Sequence, residues 1–328
     1  MELAWCNLLT GKMTEMQQKV LALKKERNAL LLAHNYQPMD IQEVADFVGD
    51  SLQLARKSAE VSGYDMIIFA GVKFMAEMAA VLNDKTPVYV PATDAICPLA
   101  AWVSADKVRA LKEQYPDAPV VVYVNTTAET KSVSDVICTS GNAVDVVSAL
   151  GVTRVLFGPD KNLADYVRRQ TGVELIDLEP RGHCYVHQQF DIAQIELLRE
   201  EYPEAVVIVH PECPEEVQEA ADIIGSTGAM VKIVAESPDE TFVIATEIGL
   251  IEQLQAKHPD KKIIPAYDKA ICRQMKKNSL EKVLRVLEEL PEENLVVVPK
   301  DMIGHIQEIL EHMRKAPDAK FAEASASD

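Results

Sequence analysis

Three of the chain's cysteines recur at nearly equal intervals. Cys97, Cys184 and Cys272 are 87 and 88 residues apart (184 − 97 and 272 − 184), and each follows strand-like segments. Three thiolates that meet at one point suit an iron–sulfur cluster. A [4Fe–4S] cluster with three cysteine ligands leaves one iron free to act as a Lewis acid on a substrate oxygen. The spacing therefore predicts one cluster per chain, although each of these cysteines taken alone is more typical of core packing.

Each of these cysteines is preceded by three more landmarks, in the same order each time. A strand ends in polar residues, a short segment then ends in a serine, and another strand end precedes a helix. The polar pairs are His34 and Tyr36, Tyr123 and Asn125, and His210 and Glu212; the serines are Ser51, Ser140 and Ser226; the last landmarks are Gly71, Gly158 and Thr246. This register predicts three homologous modules of about 85 residues.

The elements that must position these residues follow from the apolar pattern. Short runs such as ALLLAH, VVVYVN and AVVIVH alternate with helical stretches such as KNLADYVRRQ, which is typical of an α/β fold with parallel sheets. We predict three homologous three-layer αβα modules in a pseudo-threefold arrangement around a central active site. The predicted bounds are 1–102 for module 1, completed by 273–316, then 103–189 for module 2 and 190–272 for module 3, with a disordered tail at 317–328.

The polar landmarks lie where ligands of parallel sheets bind, beyond the carboxyl ends of the strands. Histidine, tyrosine and glutamate side chains there offer proton-transfer groups of several pKa values. The segments GDSLQLA, TSGNAVD and GSTGAM place hydroxyl residues and glycines where helices begin. Free N–H groups at such positions bind carboxylates or phosphates. Three such sites suit a pair of substrates that carries two carboxylates and a phosphate.

Composition limits the function classes. The chain has 328 residues, and 33 Lys and Arg against 51 Asp and Glu give a formal net charge of −18. This charge disfavours nucleic acid and anionic membranes as partners, so anionic substrates must be held by local devices such as helix N-termini. No apolar run approaches a membrane span and no signal peptide is recognisable, so we expect a cytoplasmic protein with reduced cysteines. The sequence contains no CxxC, Walker A or GxGxxG motif.

Longer segments resemble the quinolinate synthase family, the iron–sulfur enzymes of de novo NAD biosynthesis. The similar segments include AHNYQPMDIQEVADFVGDSLQLA, YVNTTAETKSVSDVICTSGNAV, FGPDKNLADYV, GHCYVHQQF, VHPEC and GSTGAM, and they extend from about residue 30 to 290. The fold that the resemblance implies is three α/β modules around a central cluster, in agreement with the repeat. The NTTAET and TSGN segments depart slightly from the usual family versions, and the additional cysteines that some members carry before the third ligand are absent.

The resemblance also implies an activity and a set of site residues. The family condenses iminoaspartate with dihydroxyacetone phosphate to quinolinate, and releases phosphate and water. Its three [4Fe–4S] ligands match Cys97, Cys184 and Cys272. Glu212, Tyr36 and His210 are expected to be catalytic, and the substrate-binding positions match His34, Ser51, Tyr123, Asn125, Ser140, His187, His210, Glu212, Ser226 and Thr227. Functional coupling to an L-aspartate oxidase or an aspartate dehydrogenase follows, because such an enzyme supplies iminoaspartate.

Other interpretations of the cysteine pattern remain open from the residues alone. One is a zinc or [4Fe–4S] hydratase with a different substrate. Another is a non-enzymatic iron–sulfur sensor, although such a protein has no need for three repeated sets of substrate-binding groups. A third is a sugar- or phosphate-binding protein with structural cysteines. Of the remaining cysteines, Cys138 is expected to fill a core, and Cys6 and Cys213 receive no ligand role.

Overall fold

A computed structural model describes residues 13–83, 85–315 and 322–323. Within these residues three parallel sheets follow one another along the chain. The first sheet contains β1 (Ala29–His34), β2 (Phe47–Gly49), β3 (Met66–Ala70) and β4 (Val88–Tyr89), in the spatial order β2-β1-β3-β4.

The second and third sheets repeat this order. The second contains β5 (Val120–Tyr123), β6 (Val136–Cys138), β7 (Arg154–Gly158) and β8 (Glu174–Asp177), ordered β6-β5-β7-β8. The third contains β9 (Val206–Val209), β10 (Ile223–Ile224), β11 (Thr241–Ala245) and β12 (Lys262–Pro265), ordered β10-β9-β11-β12. A short strand, β13 (Ala322–Glu323), pairs antiparallel with β10 and is the only described part of the tail 317–328.

The central strands are apolar on both faces, which is characteristic of parallel strands covered by helices. Every residue of β1, β3, β5 and β11 is buried. The described helices are α1 (Glu15–Glu26), α2 (Met39–Gln42), α3 (Ser51–Glu60), α4 (Lys73–Leu82), α5 (Ala105–Gln114), α6 (Ala128–Lys131), α7 (Ala143–Ala149), α8 (Lys161–Thr171), α9 (Ile192–Glu201), α10 (Glu215–Glu219), α11 (Thr227–Glu236), α12 (Ile248–Lys257), α13 (Leu280–Glu289) and α14 (Lys300–Lys315).

The three sheets share an aspartate at equivalent positions. Asp46, Asp135 and Asp222 each accept a backbone N–H from the first strand of their own sheet, at distances of 2.7, 2.8 and 2.8 Å. The donor lies 15 residues before the aspartate in all three cases. The backbone N–H of each aspartate also donates to the same strand residue's carbonyl. The carboxylate therefore fixes the second strand beside the first one.

A second equivalent position stabilises the loop after each first strand. The side-chain nitrogens of Gln42, Lys131 and Gln218 each donate to two backbone carbonyls, seven and five residues earlier in the chain. These loops carry the polar residues that follow β1, β5 and β9. All three side chains are buried, and in the second sheet the amide of glutamine is replaced by the amine of lysine. The repeat is thus maintained by backbone contacts that different residue types can make.

The C-terminal helices connect the sheets. The apolar face of α13 (Leu280, Val283, Val286 and Leu287) packs in one core with Val20 of α1 and with β1 and β3. In contrast, α14 contacts α4 and β6, so it lies across the first and second sheets. These contacts extend the first sheet's core with residues from the end of the chain.

The predicted α/β fold with three parallel sheets is confirmed. The module bounds stay a prediction. Within the described residues, no helix has both the length and the apolarity that crossing a bilayer requires.

Candidate active site

The three regularly spaced cysteines occupy equivalent places, each shortly before a 3-10 helix. These helices are Pro98–Ala101, His187–Gln189 and Met275–Lys277. In each case the residue two before the cysteine accepts the N–H of the first residue of the helix after the third strand. The three hydrogen bonds measure 2.9 Å (Lys73 to Ala95), 2.8 Å (Lys161 to Gly182) and 2.9 Å (Ile248 to Ala270). This bond closes the loop that presents each thiol.

The cysteine residues also differ in exposure. Cys97, Cys184 and Cys272 are partly exposed, whereas Cys138 and Cys213 are buried. Burial raises the pKa of the Cys97 thiol to about 12, and the charge of Cys272 adds to this rise. Burial raises the pKa of Cys184 as well, with further contributions from Glu212, Cys272 and Cys97. The three thiols are therefore electrostatic neighbours, although they come from three separate parts of the chain.

In two of the three cysteine loops, a carboxylate accepts the backbone N–H of the cysteine. Asp160 is fully buried; its Oδ1 accepts Leu163 N–H at 2.8 Å and its Oδ2 accepts Cys184 N–H at 2.9 Å. Glu247 does the same in the third sheet, where it accepts Gly249 N–H at 2.7 Å and Cys272 N–H at 3.0 Å. Each carboxylate thus caps a helix and orients a cysteine loop. The equivalent first-sheet residue is Val72, which makes no side-chain cap, so the Cys97 loop lacks this support.

A group of buried ionisable side chains surrounds Glu212. His187 Nδ1 lies 2.6 Å from Glu212 Oε2, and the His187 and His210 rings stack with centroids 4.3 Å apart. Burial alone would raise the pKa of Glu212, but the contact with His187 and the charges of His187 and His210 lower it to about 2. Glu212 is therefore ionised at neutral pH. Burial, with a contribution from Glu212, raises the pKa of the nearby Asp160, so the environments of the two carboxyls differ.

Two histidines of this group accept a backbone N–H through the same ring nitrogen. The Nδ1 atom of His34 accepts Tyr36 N–H at 3.1 Å, and the Nδ1 atom of His210 accepts Glu212 N–H at 3.3 Å. Burial lowers the pKa of each imidazole to about 3, with the charge of Lys276 also acting on His34 and that of His187 on His210. Both rings are therefore neutral at pH 7, and because Nδ1 accepts, Nε2 carries the proton.

Tyrosine hydroxyls complete this group. The Tyr36 hydroxyl lies 2.7 Å from Thr246 Oγ1, which is also 3.1 Å from His187 Nε2. Burial raises the pKa of Tyr36 well above its usual value, so the phenol stays protonated. Burial and the charge of Glu212 likewise raise the pKa of Tyr123, which lies beside Ser140 as well.

A cavity of about 700 Å³ lies next to these groups, between segments of all three sheets. Ser140 and Ser226 line it together with Asp50, the residue before Ser51. Ser226 caps α11 and donates to Asp50 Oδ2 at 3.2 Å, which links the starts of α3 and α11. Thr227 is buried and accepts a hydrogen bond from Asn35 at 3.1 Å. The cavity walls also carry two cations, Arg56 and Lys232.

The structure thus brings together most of the residues that the sequence singled out. His34, Tyr36, Tyr123, His187, His210 and Glu212 form one group with Cys184, in which Tyr36 and Cys184 are partly exposed and the other residues are buried. Ser140 and Ser226 line the adjoining cavity. Ser51 begins α3 beside it, and Asn125 is half-buried on the loop after β5.

Several residues of this site were not among the site residues predicted from the sequence. They are Asp50, Asp160, Thr246, Glu247 and Lys276. Thr246 was recognised as a strand end but not as the hydroxyl between Tyr36 and His187. The signal for Asp160 and Glu247 was available, because each directly precedes a helical stretch, as a capping residue does. Their second bond, to a cysteine N–H, depends on a contact across more than 20 residues.

Comparison with known proteins identifies similar chains. A family model described as "Quinolinate synthetase A protein" matches residues 18–315. A quinolinate synthase of Thermotoga maritima is 49% identical over 288 residues, covering 88% of this chain and 95% of the relative. The quinolinate synthase of Methanothermobacter thermautotrophicus is 46% identical over 301 residues, covering 92% and 98%. That of Pyrococcus abyssi is 46% identical over 299 residues, covering 91% and 98%.

Proposed function

The chain belongs to the quinolinate synthetase A family, and from this membership we propose that it is a quinolinate synthase. The proposed reaction condenses iminoaspartate with dihydroxyacetone phosphate, closes the pyridine ring and releases phosphate and water. The observation that carries the proposal is the buried group of His187, His210 and Glu212 beside Cys184. Such a group serves proton transfer, which the condensation and the dehydrations require.

The donor set at the site fits one [4Fe–4S] cluster bound by Cys97, Cys184 and Cys272. A single zinc ion with three sulfur ligands needs sulfur–sulfur distances of about 3.8 Å, from Zn–S bonds near 2.3 Å. Among the described residues, the three thiols do not form a group within 4.8 Å, so as they stand they are too far apart to share one zinc ion. When bound, a cluster with three protein ligands supplies one iron as a Lewis acid for a substrate oxygen.

His187 and Glu212 act in this proposal as one proton-accepting pair. A carboxylate with a pKa of about 2 is a weak base by itself. Because His187 Nδ1 lies 2.6 Å from Glu212 Oε2, a proton taken from substrate can be shared between the ring and the carboxylate. Tyr36 stays protonated and donates, while His210 offers its Nε2–H to a substrate oxygen. These assignments make Glu212, Tyr36 and His210 the catalytic residues.

The adjoining cavity is the proposed place for the anionic ends of the substrates. Ser226 and Thr227 stand at the start of α11, and Ser51 at the start of α3, where helix dipoles favour negative charge. Ser140, Asn125 and Tyr123 add donors from the second sheet. These local donors offset the repulsion expected from a net charge of −18. His34 and His187 complete the proposed substrate-binding set.

The repeat suggests how the site is assembled. We place the three sheets in three αβα modules, related by pseudo-threefold symmetry, with the cluster where the cysteine loops converge. Iminoaspartate is a reactive product of an L-aspartate oxidase or an aspartate dehydrogenase, so functional coupling to such an enzyme is part of the proposal. We place the enzyme in the cytoplasm, where cysteines remain reduced.

A direct assay tests the activity. The protein is purified anaerobically and supplied with iminoaspartate and dihydroxyacetone phosphate, and quinolinate is quantified by chromatography. Glu212→Gln is expected to lower kcat by at least about 100-fold, the range for loss of a general acid or base. Exposed Glu219, on α10, supplies the control Glu219→Gln, which should keep full turnover. Absence of quinolinate with cluster-loaded enzyme, or full turnover by Glu212→Gln, contradicts the proposal.

A further inference from the structure

The site contains a second group of potential metal ligands that only partly overlaps the three cysteines. Cys184, His187 and Glu212 are the only three ligand side chains within the described ranges whose donor atoms all lie within 4.8 Å of one another. Bond lengths of about 2.0 Å to nitrogen or oxygen and 2.3 Å to sulfur place the ligand atoms of a tetrahedral zinc ion roughly 3.3–3.8 Å apart. Small side-chain rotations therefore bring all three donors to one ion.

An unpaired oxygen of Glu212 also indicates a cation at this group. Glu212 Oε1 is buried and accepts no hydrogen bond from the described residues. A buried, unpaired carboxylate oxygen is costly unless a cation or a donor reaches it. The orientation of His187 also suits metal binding. Its Nε2 lies 3.1 Å from Thr246 Oγ1, while its Nδ1 faces Glu212. Metal-binding histidines usually have the second nitrogen fixed in this way.

From this geometry we infer that cluster-free protein binds one Zn²⁺ through Cys184, His187 and Glu212. One thiolate, one imidazole and one carboxylate form a ligand set that zinc favours, and three protein ligands leave the fourth position for water. Binding requires Cys184 as a thiolate and His187 Nδ1 without a proton, so the thiol proton and any proton held between His187 Nδ1 and Glu212 Oε2 pass to solvent. The resulting thiolate and the Glu212 carboxylate carry two negative charges, which balance the charge of the ion.

The consequence is competition for a shared ligand. Cys184 belongs both to this site and to the proposed cluster site, whereas Cys97 and Cys272 belong only to the latter. Zinc bound first would therefore block cluster assembly without contacting two of the three cluster cysteines. The zinc site stands on the geometry alone, and only the competition rests on the proposed function.

Zinc affinity and cluster binding can be separated by substitution. Metal-free, reduced protein is titrated with Zn²⁺ against a chromophoric chelator, and with Co²⁺ as a spectroscopic probe of thiolate ligation. We expect one ion per chain. Cys184→Ser and Glu212→Gln should weaken zinc binding at least tenfold, and Thr246→Val, which frees His187, by about 10- to 100-fold. Cys97→Ser should bind zinc within threefold of the unchanged protein while it loses the cluster.

The competition has its own test. Preloading with one equivalent of Zn²⁺ should slow iron–sulfur reconstitution of the unchanged protein at least tenfold and leave the rate for Glu212→Gln nearly unchanged. Circular dichroism of each variant verifies that it is folded. Equal loss of zinc affinity in Cys97→Ser and Cys184→Ser would show a three-thiolate site and overturn the inference, as would absence of binding. If zinc binds as described but no variant ever holds a cluster, the proposed cofactor fails and the zinc site stands.

Discussion

Lys131 is a buried lysine, and the equivalent positions in the other two sheets show that glutamine can replace it. The side chain is 1% exposed, and its Nζ donates to Val124 O at 2.8 Å and to Thr126 O. It also lies 5.2 Å from the centroid of the Phe74 ring. Gln42 and Gln218 make the same two backbone contacts in the other sheets. Lys131→Gln should therefore fold with its loop in place.

The size of the expected effect follows from the difference between the pKa values of Lys131 in the folded and unfolded states. Burial lowers the pKa of Lys131 from 10.5 to about 7, against a smaller rise caused by Glu77. Between these two values the unfolded chain binds more protons than the folded one, so the free energy of unfolding increases with pH. The full penalty, roughly 5 kcal/mol, is present below pH 7 and disappears as the pH approaches 10.5. Between pH 6 and pH 9 this penalty should therefore decrease by roughly 3 kcal/mol in the unchanged protein.

Urea unfolding at pH 6 and pH 9 measures this difference. Both proteins are compared anaerobically in the same metal-free state, because a bound cofactor complicates two-state analysis. Between these pH values, the free energy of unfolding should increase by roughly 3 kcal/mol more for the unchanged protein than for Lys131→Gln. Lys25→Gln, at an exposed position of α1, is the control and should behave like the unchanged protein. If Lys131→Gln retains the full pH dependence, Lys131 is charged in the folded state and the reasoning is refuted.

Three further predictions concern the site. Asp160→Asn should accelerate chelator-driven loss of the cluster absorbance by about 10- to 100-fold, because an amide cannot offer two accepting oxygens to Leu163 N–H and Cys184 N–H as the carboxyl group does; an unchanged rate would contradict this positioning role. Ser226→Ala should raise KM more than it changes kcat, whereas Ser104→Ala, which removes a comparable cap from α5 at about 1 kcal/mol, should leave KM unchanged. Because the pKa of His34 is lowered to about 3, His34→Gln should reduce activity by a constant factor between pH 6 and pH 8; a step in the activity ratio within that interval would show that the imidazole titrates there.

The sequence predicted the parts of the fold that the apolar pattern determines. Alternation of strand and helix patterns predicted an α/β fold with parallel sheets. Strands β1 and β5 end at the predicted polar residues His34 and Tyr123, and β9 ends one residue before His210. The landmarks were recognisable because a strand end combines an apolar run with a following polar residue. Gln42, Lys131 and Gln218 escaped detection because the repeated feature is a pair of backbone contacts, which an amide and an amine make equally well.

Contacts between distant segments were harder to predict. The hydrogen bond from Ser226 to Asp50 joins residues 176 positions apart, and nothing in either local pattern indicates the partner. The same holds for Thr246, which contacts Tyr36 across 210 positions. The position of α14 across two sheets depends on which faces remain uncovered after the sheets have packed. Only the assembled structure contains that information.

The central claim is that Cys97, Cys184 and Cys272 hold one iron–sulfur cluster beside the Glu212 group. Anaerobic crystals, with diffraction recorded on both sides of the iron absorption edge, test it most directly. We predict a single iron peak per chain, bounded by the three sulfurs and adjoining the cavity that contains Glu212. Iron peaks at separate cysteines, or a map without iron from protein that makes quinolinate, would contradict the account.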